Sequence, residues 1–280
     1  MIVIVPLRAA LGFATTLLVS SLAFEACAQD ASPWRRDGHS AVRLLAGSRS
    51  GAVLLGGIAF QLQPGWKTYW RTPGDSGVPP RFDFSKSENI EAVTILWPAP
   101  MKFDDGAGGS SLGYHDQVVL PLRIVAKNTD KPVTLRAAVN YAVCDKLCVP
   151  VEADVELAFT SVASTEDSAL FAALDTVPKP ANVGDPNPLT IRDVKRDGKS
   201  TVLVDVVAPP EVGNISLFVE GPTMDWALPV PKLLEHSPPG VKRFAFELDG
   251  LPPGANPEGA ALKFTLASGD RSYEFNINLE

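Results

Sequence analysis

The sequence holds three cysteines, Cys27, Cys144 and Cys148, and the last two stand close enough to act together. They flank the three residues Asp145-Lys146-Leu147. A pair of thiols can close a disulfide, trade two electrons with another dithiol, or bind a soft metal. Which of these is open depends on the backbone between them. A continuous strand rises about 3.3 Å per residue, which would part the two Cα atoms by about 13 Å. A disulfide needs roughly 4.4–6.8 Å. A hairpin turning at 145–147 puts the two residues directly opposite, roughly 4.5–5.5 Å apart, and the bond can close.

The flanking residues support that hairpin. Val133, Leu135, Ala137, Val139, Tyr141 and Val143 share one face of a strand over Val133–Cys144. Val149, Val151, Ala153, Val155, Leu157 and Phe159 share one face of a strand over Cys148–Phe159. Both faces are apolar and should meet the core. Folding about the loop sets Leu135 opposite Leu157 and Arg136 opposite Glu156, as cross-strand pairing favours. The cysteines fall on the other, polar face at the hairpin tip, and Pro150 marks an edge strand.

That setting bears on the choice between exchange and structure. A structural sandwich disulfide ties two sheets together from within. A bridge that closes a tiny loop on the exposed side stabilises little and is easily reduced, which favours exchange over a clip. A metal is the weakest reading. Only three histidines and three methionines occur, none near the cysteines in sequence. No metal and no cofactor is expected.

The N-terminus reads as an export signal over residues 1–28. Arg8 precedes an apolar run from Ala9 to Ala23, and Ala26-Cys27-Ala28 offers a small-x-small cleavage pattern. Cleavage after Ala28 would discard Cys27 and leave about 250 residues in an oxidising compartment. No later stretch is long and apolar enough to span a bilayer as a helix. The net charge of −7 without basic clusters argues against nucleic acid and anionic membranes as partners.

Period-two alternation dominates after Pro33, and 25 prolines and 22 glycines are spread between the runs. Strands are expected at 39–46, 52–62, 67–71, 92–97, 118–125 and in the cysteine hairpin. Short strands separated by turns indicate a β-sandwich over 34–160. A helix is expected over 164–177, with Ser164 as N-cap, Ala169, Leu170, Ala173 and Leu174 as its stripe, and Pro178 and Pro180 beyond it. A proline-containing linker closes the 161–188 segment. Strands resume at 189–194, 201–207, 215–220, 243–248, 262–266 and 273–279, a second sandwich over 189–280. It has no cysteine, so support or docking is its expected role. The fold class is thus all-β, two immunoglobulin-like β-sandwich domains joined by a short helix and linker.

The run Asn140-Tyr141-Ala142-Val143-Cys144-Asp145-Lys146-Leu147-Cys148-Val149-Pro150 resembles the active-site hairpin of the N-terminal periplasmic domain of the DsbD family. It is more similar to the related domain of the ScsB, or suppressor-of-copper-sensitivity, type. Further motifs agree in order: Gly65-Trp66-Lys67-Thr68-Tyr69-Trp70-Arg71, Pro73-Gly74-Asp75-Ser76-Gly77, Trp97-Pro98-Ala99-Pro100, and Gly113-Tyr114 ahead of Leu120-Pro121. The resemblance covers roughly 34–159, and 189–280 more loosely resembles the second ScsB-type β-domain.

The resemblance implies a thiol–disulfide oxidoreductase component of the periplasm. Its cysteine pair would receive electrons from a membrane-embedded DsbD/ScsB-type donor and pass them to thioredoxin-like proteins. Copper tolerance and cytochrome c biogenesis are processes it brings with it. Two differences stand out: neither a transmembrane conduit nor a thioredoxin-like domain is present in this sequence, and the cysteine spacing is three residues rather than five. The other reading is a non-enzymatic binding or assembly protein, of the copper-related kind, with a structural disulfide.

The resemblance also nominates neighbours for the pair. Phe103 matches an aromatic cap, with Gly106, Gly108 and Gly109 as the hinge that opens it. Tyr69 matches a tyrosine near the cysteines. Asp104 and Asp105 are candidates to hold a proton during exchange. Cys148 matches the cysteine that forms the mixed disulfide, with Cys144 resolving it. His39, His115 and His236 are scattered in sequence and read as surface residues.

Overall fold

The computed structural model describes residues 29–104, 109–160, 163–210 and 212–280. The export signal with Cys27, and Asp105, Gly106 and Gly108 of the expected cap loop, lie outside the described residues.

Strands β1 (Arg35–Asp37), β2 (Ser40–Ser50), β3 (Val53–Leu62), β4 (Lys67–Gly74), β5 (Arg81–Asp83), β6 (Ile90–Ile95), β7 (Met101–Asp104), β8 (Ser110–His115), β9 (Gln117–Ala126), β10 (Val133–Cys144) and β11 (Cys148–Phe159) come first. They form two sheets, ordered β1-β2-β3-β9-β6 and β11-β10-β4-β8-β7, with β5 pairing on β10. Helix α1 (Asp167–Asp175) follows. Then come β12 (Lys179–Ala181), β13 (Thr190–Asp197), β14 (Thr201–Val207), β15 (Ser216–Glu220), β16 (Lys232–Leu233), β17 (Lys242–Glu247), β18 (Ala261–Ser268) and β19 (Arg271–Asn278). These make sheets β12-β19-β18-β15 and β13-β14-β17-β16. The protein is all-β, built as two immunoglobulin-like sandwiches with one short helix among the described residues.

The alternation explains the first core. Val133, Leu135, Ala137, Val139, Tyr141 and Val143 of β10 are buried together with Val151, Val155, Leu157 and Phe159 of β11. Their facing partners come from β2, β3 and β9, including Leu44, Ile58, Phe60, Leu120 and Leu122. The hairpin has the expected register: Leu135 pairs with Leu157, Arg136 with Glu156, and Cys144 with Cys148. Arg136 Nε reaches Glu156 at 2.7 Å and Nη1 reaches Glu88 at 2.7 Å on the exposed face.

Helix α1 starts at Asp167, later than the sequence suggests, and the expected cap residue Ser164 lies in the turn before it with a second role. Ser164 Oγ donates to the Ala46 carbonyl, and Asp167 Oδ1 accepts from the Ser48 amide at 2.7 Å. Both side chains thus fasten the helix to β2 while also closing the turn that leads into it, the Glu166 amide donating to Ser164 Oγ at 2.9 Å and the Ser164 amide donating to Asp167 Oδ2 at 3.3 Å. Of the expected stripe only Leu170 is fully buried. It fits where Gly47 and Gly57 leave room, since a Cβ on either would meet a Leu170 methyl at 2.6 Å.

The segment 161–188 is not all helix and linker. Lys179–Ala181 runs parallel to β19 and extends a sheet of the second sandwich. The isolated sequence hides this because a three-residue strand is too short for alternation to register. The two sandwiches also share apolar contact. Phe218 of β15, 1% exposed, joins the core cluster of the first sandwich, with its ring 6.0 Å from that of Trp70.

Candidate functional site

Cys144 ends β10 and Cys148 begins β11, so the hairpin places their Cα atoms 4.2 Å apart and the sulfurs are bonded. β11 is the edge strand of its sheet, as Pro150 suggested. The two thiols differ in access. Cys148 and the whole 145–147 loop are exposed, with Leu147 79% exposed, whereas Cys144 is only 2% exposed. The expectation that both cysteines lie open on a polar face is therefore corrected for Cys144. The side chains of Tyr69 and Ala142 cover it.

Tyr69 comes from β4, which lies beside β10 in the sheet. Directly opposite residues share a face, and the ladder pairs Val143 with Thr68 and Cys144 with Lys67. Tyr69, two residues on from Lys67, shares that face. Its hydroxyl donates to Cys144 Sγ at 2.8 Å and lies 3.2 Å from Cys148 Sγ. The ring is held from above by the loop after β4. A Cβ on Gly77 would meet Tyr69 Cδ1 at 2.7 Å and clash with Pro73, so this approach needs glycine. Burial pushes the Tyr69 phenol above its ordinary pKa, and it stays a neutral donor at physiological pH.

Lys67 is a site neighbour that sequence reasoning passed over. It stands opposite Cys144 on one side and His115 on the other. Its ammonium donates to Ser111 Oγ at 2.9 Å and lies 5.1 Å from the centre of the Phe103 ring. A signal was present: strand alternation puts Lys67, Tyr69 and Arg71 on one face, so naming Tyr69 names its neighbours. His115, read as a plain surface residue, is exposed but sits in this same row. Its ring packs edge-on to Phe103 at 6.1 Å, and its Nδ1 lies 2.5 Å from Asp116. His39 stacks on Trp66 at 3.7 Å.

The remaining candidates fall as follows. Phe103 is half-buried on β7, opposite Ser111, and meets the cysteine row through Lys67. Asp104 is exposed and paired with Lys102 at 2.9 Å, so its bonded partner is a surface lysine. Asp105 lies outside the described residues. No group of three or more His, Cys, Asp or Glu residues among the described residues could hold a metal ion. No helix among them is long and apolar enough to cross a membrane.

A bonded cysteine pair with one reachable sulfur, and a phenol donating to the other, can undergo thiol–disulfide exchange. A thiolate attacks the reachable sulfur, and the departing sulfur leaves as a thiolate that an existing donor stabilises.

Residues 42–160 match the family described as the N-terminal domain of the thiol:disulfide interchange protein DsbD. Among solved structures, the N-terminal periplasmic domain of ScsB from Proteus mirabilis aligns with a TM-score of 0.71 at 22% identity. The alignment covers 89% of this chain and 98% of that one, so the fold of both sandwiches is shared. The yeast GGA1 GAE domain aligns over 44% of this chain and 94% of its own at 9% identity, with a TM-score of 0.28, too low to carry weight. No curated protein matches the chain.

Proposed function

We propose, for a chain whose residues 42–160 form a domain of the DsbD N-terminal family, that Cys144 and Cys148 relay electrons between two protein partners in the periplasm. The observation that carries this is the asymmetry of the pair: an exposed Cys148 bonded to a buried Cys144 that already accepts the Tyr69 hydroxyl.

The chemistry balances in two exchanges. A donor thiolate attacks Cys148 Sγ, the Cys144–Cys148 bond breaks, and Cys144 leaves as a thiolate hydrogen-bonded by Tyr69. The donor's second thiol then attacks the mixed disulfide and releases Cys148, which takes up the proton. The donor has lost two electrons and the pair has gained them. The onward step is the reverse: reduced Cys148 attacks an acceptor disulfide, and Cys144 resolves the mixed bond and restores Cys144–Cys148. The donor on this reading is a membrane-embedded DsbD/ScsB-type protein, and the acceptors are thioredoxin-like proteins. Placement in the periplasm is supported by the export-signal pattern of residues 1–28 and by the periplasmic origin of the ScsB domain.

Equilibration with glutathione redox buffers, followed by alkylation and mass measurement, tests the reading. The expected reduction potential is above about −300 mV, with transfer to an oxidised thioredoxin-like acceptor. A lower potential without transfer would identify a structural bridge and overturn it.

A further inference from the structure

Strand β4 serves two masters. Its first half carries Lys67 and Tyr69 beside the cysteines, in regular pairing with β8 that ends at Tyr69 opposite Gly113. The next pair is Gly74 with Ser111. Residues 70–73 thus face Leu112 alone, and the strand bulges out of the ladder immediately after the residue that touches the disulfide. A bulge re-aims its side chains, and here they are aimed at the second sandwich.

The grip there is specific. Arg71 Nε donates to both carboxylate oxygens of Glu220, at 2.9 and 3.2 Å, and Nη2 donates to Glu220 Oε2 at 2.7 Å. Nη2 also reaches Glu274 at 2.6 Å. Thr72 Oγ1 donates to Glu220 Oε1 at 2.7 Å. Trp70, on the opposite face, is fully buried against Phe218. Past the bulge the chain turns back so that Gly77 packs against both Pro73 and the Tyr69 ring. Tyr69 is therefore held between a bulge and a loop that begin and end on the same few residues, and Glu220 holds two of them. Fork-shaped arginine–carboxylate pairs fix geometry as well as lending energy.

We propose that Glu220 of the second sandwich is a positioning residue for the disulfide. By holding Arg71 and Thr72 it keeps the Tyr69 hydroxyl on Cys144 Sγ. The second sandwich is thereby part of the redox site, not a separate support. The inference rests on the pair being reduced and reoxidised in use. It adds that the ease of reduction is set partly from the other sandwich. The physical link is the steep fall of hydrogen-bond strength with distance and angle: a small shift of the bulge is enough to weaken the donor that stabilises the Cys144 thiolate.

Glu220→Ala is a suitable probe because Arg71 keeps Glu274 as a partner and is not left as an unpaired buried charge. Glu220→Gln, which can still accept from Thr72 and Arg71, serves as the conservative control. Thr72→Val, which removes one bond only, stands in should Glu220→Ala fail to fold. The full-length variants, Tyr69→Phe, and Glu220→Ala with Tyr69→Phe are equilibrated with dithiothreitol or glutathione buffers, and the reduced fraction is read by alkylation and mass. Tyr69→Phe should make the disulfide about tenfold harder to reduce, a potential about 30 mV lower. Glu220→Ala should move it the same way by about two- to fivefold, Thr72→Val by less, and Glu220→Gln should stay near the parent. In the Tyr69→Phe background Glu220→Ala should add nothing. An unchanged potential in Glu220→Ala, or an equal shift with and without the Tyr69 hydroxyl, would overturn the proposal. The potentials are read against small-molecule thiols. An absence of exchange with protein partners would sink the proposed function and leave this test standing.

Discussion

The Tyr69 hydroxyl points its proton at Cys144 Sγ from 2.8 Å, with Cys148 Sγ 3.2 Å away. One phenol thus touches both sulfurs of the bond to be broken, and it donates to the one that must leave. Burial keeps that phenol protonated well beyond neutral pH. The donor is therefore present wherever a thiolate forms.

Loss of that donor should show in the pH dependence of thiol reactivity. A hydrogen bond to the charged form lowers a pKa, so its removal raises it. In reduced Tyr69→Phe the midpoint of the alkylation-rate profile should move up by about one pH unit relative to the parent. Rates measured with iodoacetamide between pH 5 and 10 decide it. A midpoint that stays put would detach Tyr69 from the chemistry.

The difference in burial between the cysteines predicts which one meets partners. With Cys144→Ala, the exposed Cys148 should accumulate a stable mixed disulfide with an oxidised thioredoxin-like acceptor. With Cys148→Ala, the buried Cys144 should trap little, about tenfold less or lower, since a thiol must be reachable to attack. Non-reducing gels after quenching distinguish the two, and the reverse pattern would exchange the roles.

Phe218 links the stability of the two sandwiches. Phe218→Ala removes a ring that closes the first core beside Trp70. It should cost about 3–5 kcal/mol, and a urea titration followed by Trp fluorescence measures it. A fragment spanning 29–160 keeps every residue within bonding reach of the disulfide but exposes that side of Trp70. It should unfold at lower denaturant than the full chain. Equal midpoints would mean that the first sandwich stands alone.

Acid should loosen the second sandwich at one pair. Asp205, only 4% exposed, accepts from Arg243 at 2.6 and 2.8 Å, and those bonds hold its carboxyl below the usual range. A lowered folded-state pKa contributes stability that is complete above the ordinary carboxylate value near pH 4 and is lost as pH falls through the lowered value. Asp205→Asn should therefore be destabilised by about 1–3 kcal/mol at pH 7, with the gap to the parent narrowing below about pH 4. Thermal melts across pH 3–7 check it, and a pH-independent gap would remove the charge from the explanation.

What the sequence determined by itself was local and periodic. Alternation over Val133–Cys144 and Cys148–Phe159, with three residues between, leaves one register that buries both apolar faces. That register brings Cys144 to Cys148 and Arg136 to Glu156. The same alternation located the longer strands of both sandwiches, and the ordered motifs pointed to Tyr69 as a neighbour. Short elements escaped: β1, β5, β7, β8, β12 and β16 are brief or rich in glycine and serine, and too few residues alternate in them to rise above loop composition. What only the tertiary structure decided was which strands lie side by side and which faces are covered. β4 and β10 are far apart in the chain, yet their adjacency buries Cys144 under Tyr69 and sets Lys67 opposite it. Arg71 finds Glu220 at a separation of 149 residues. No spacing rule reaches that far, because such a contact depends on how two independently patterned sandwiches pack against each other.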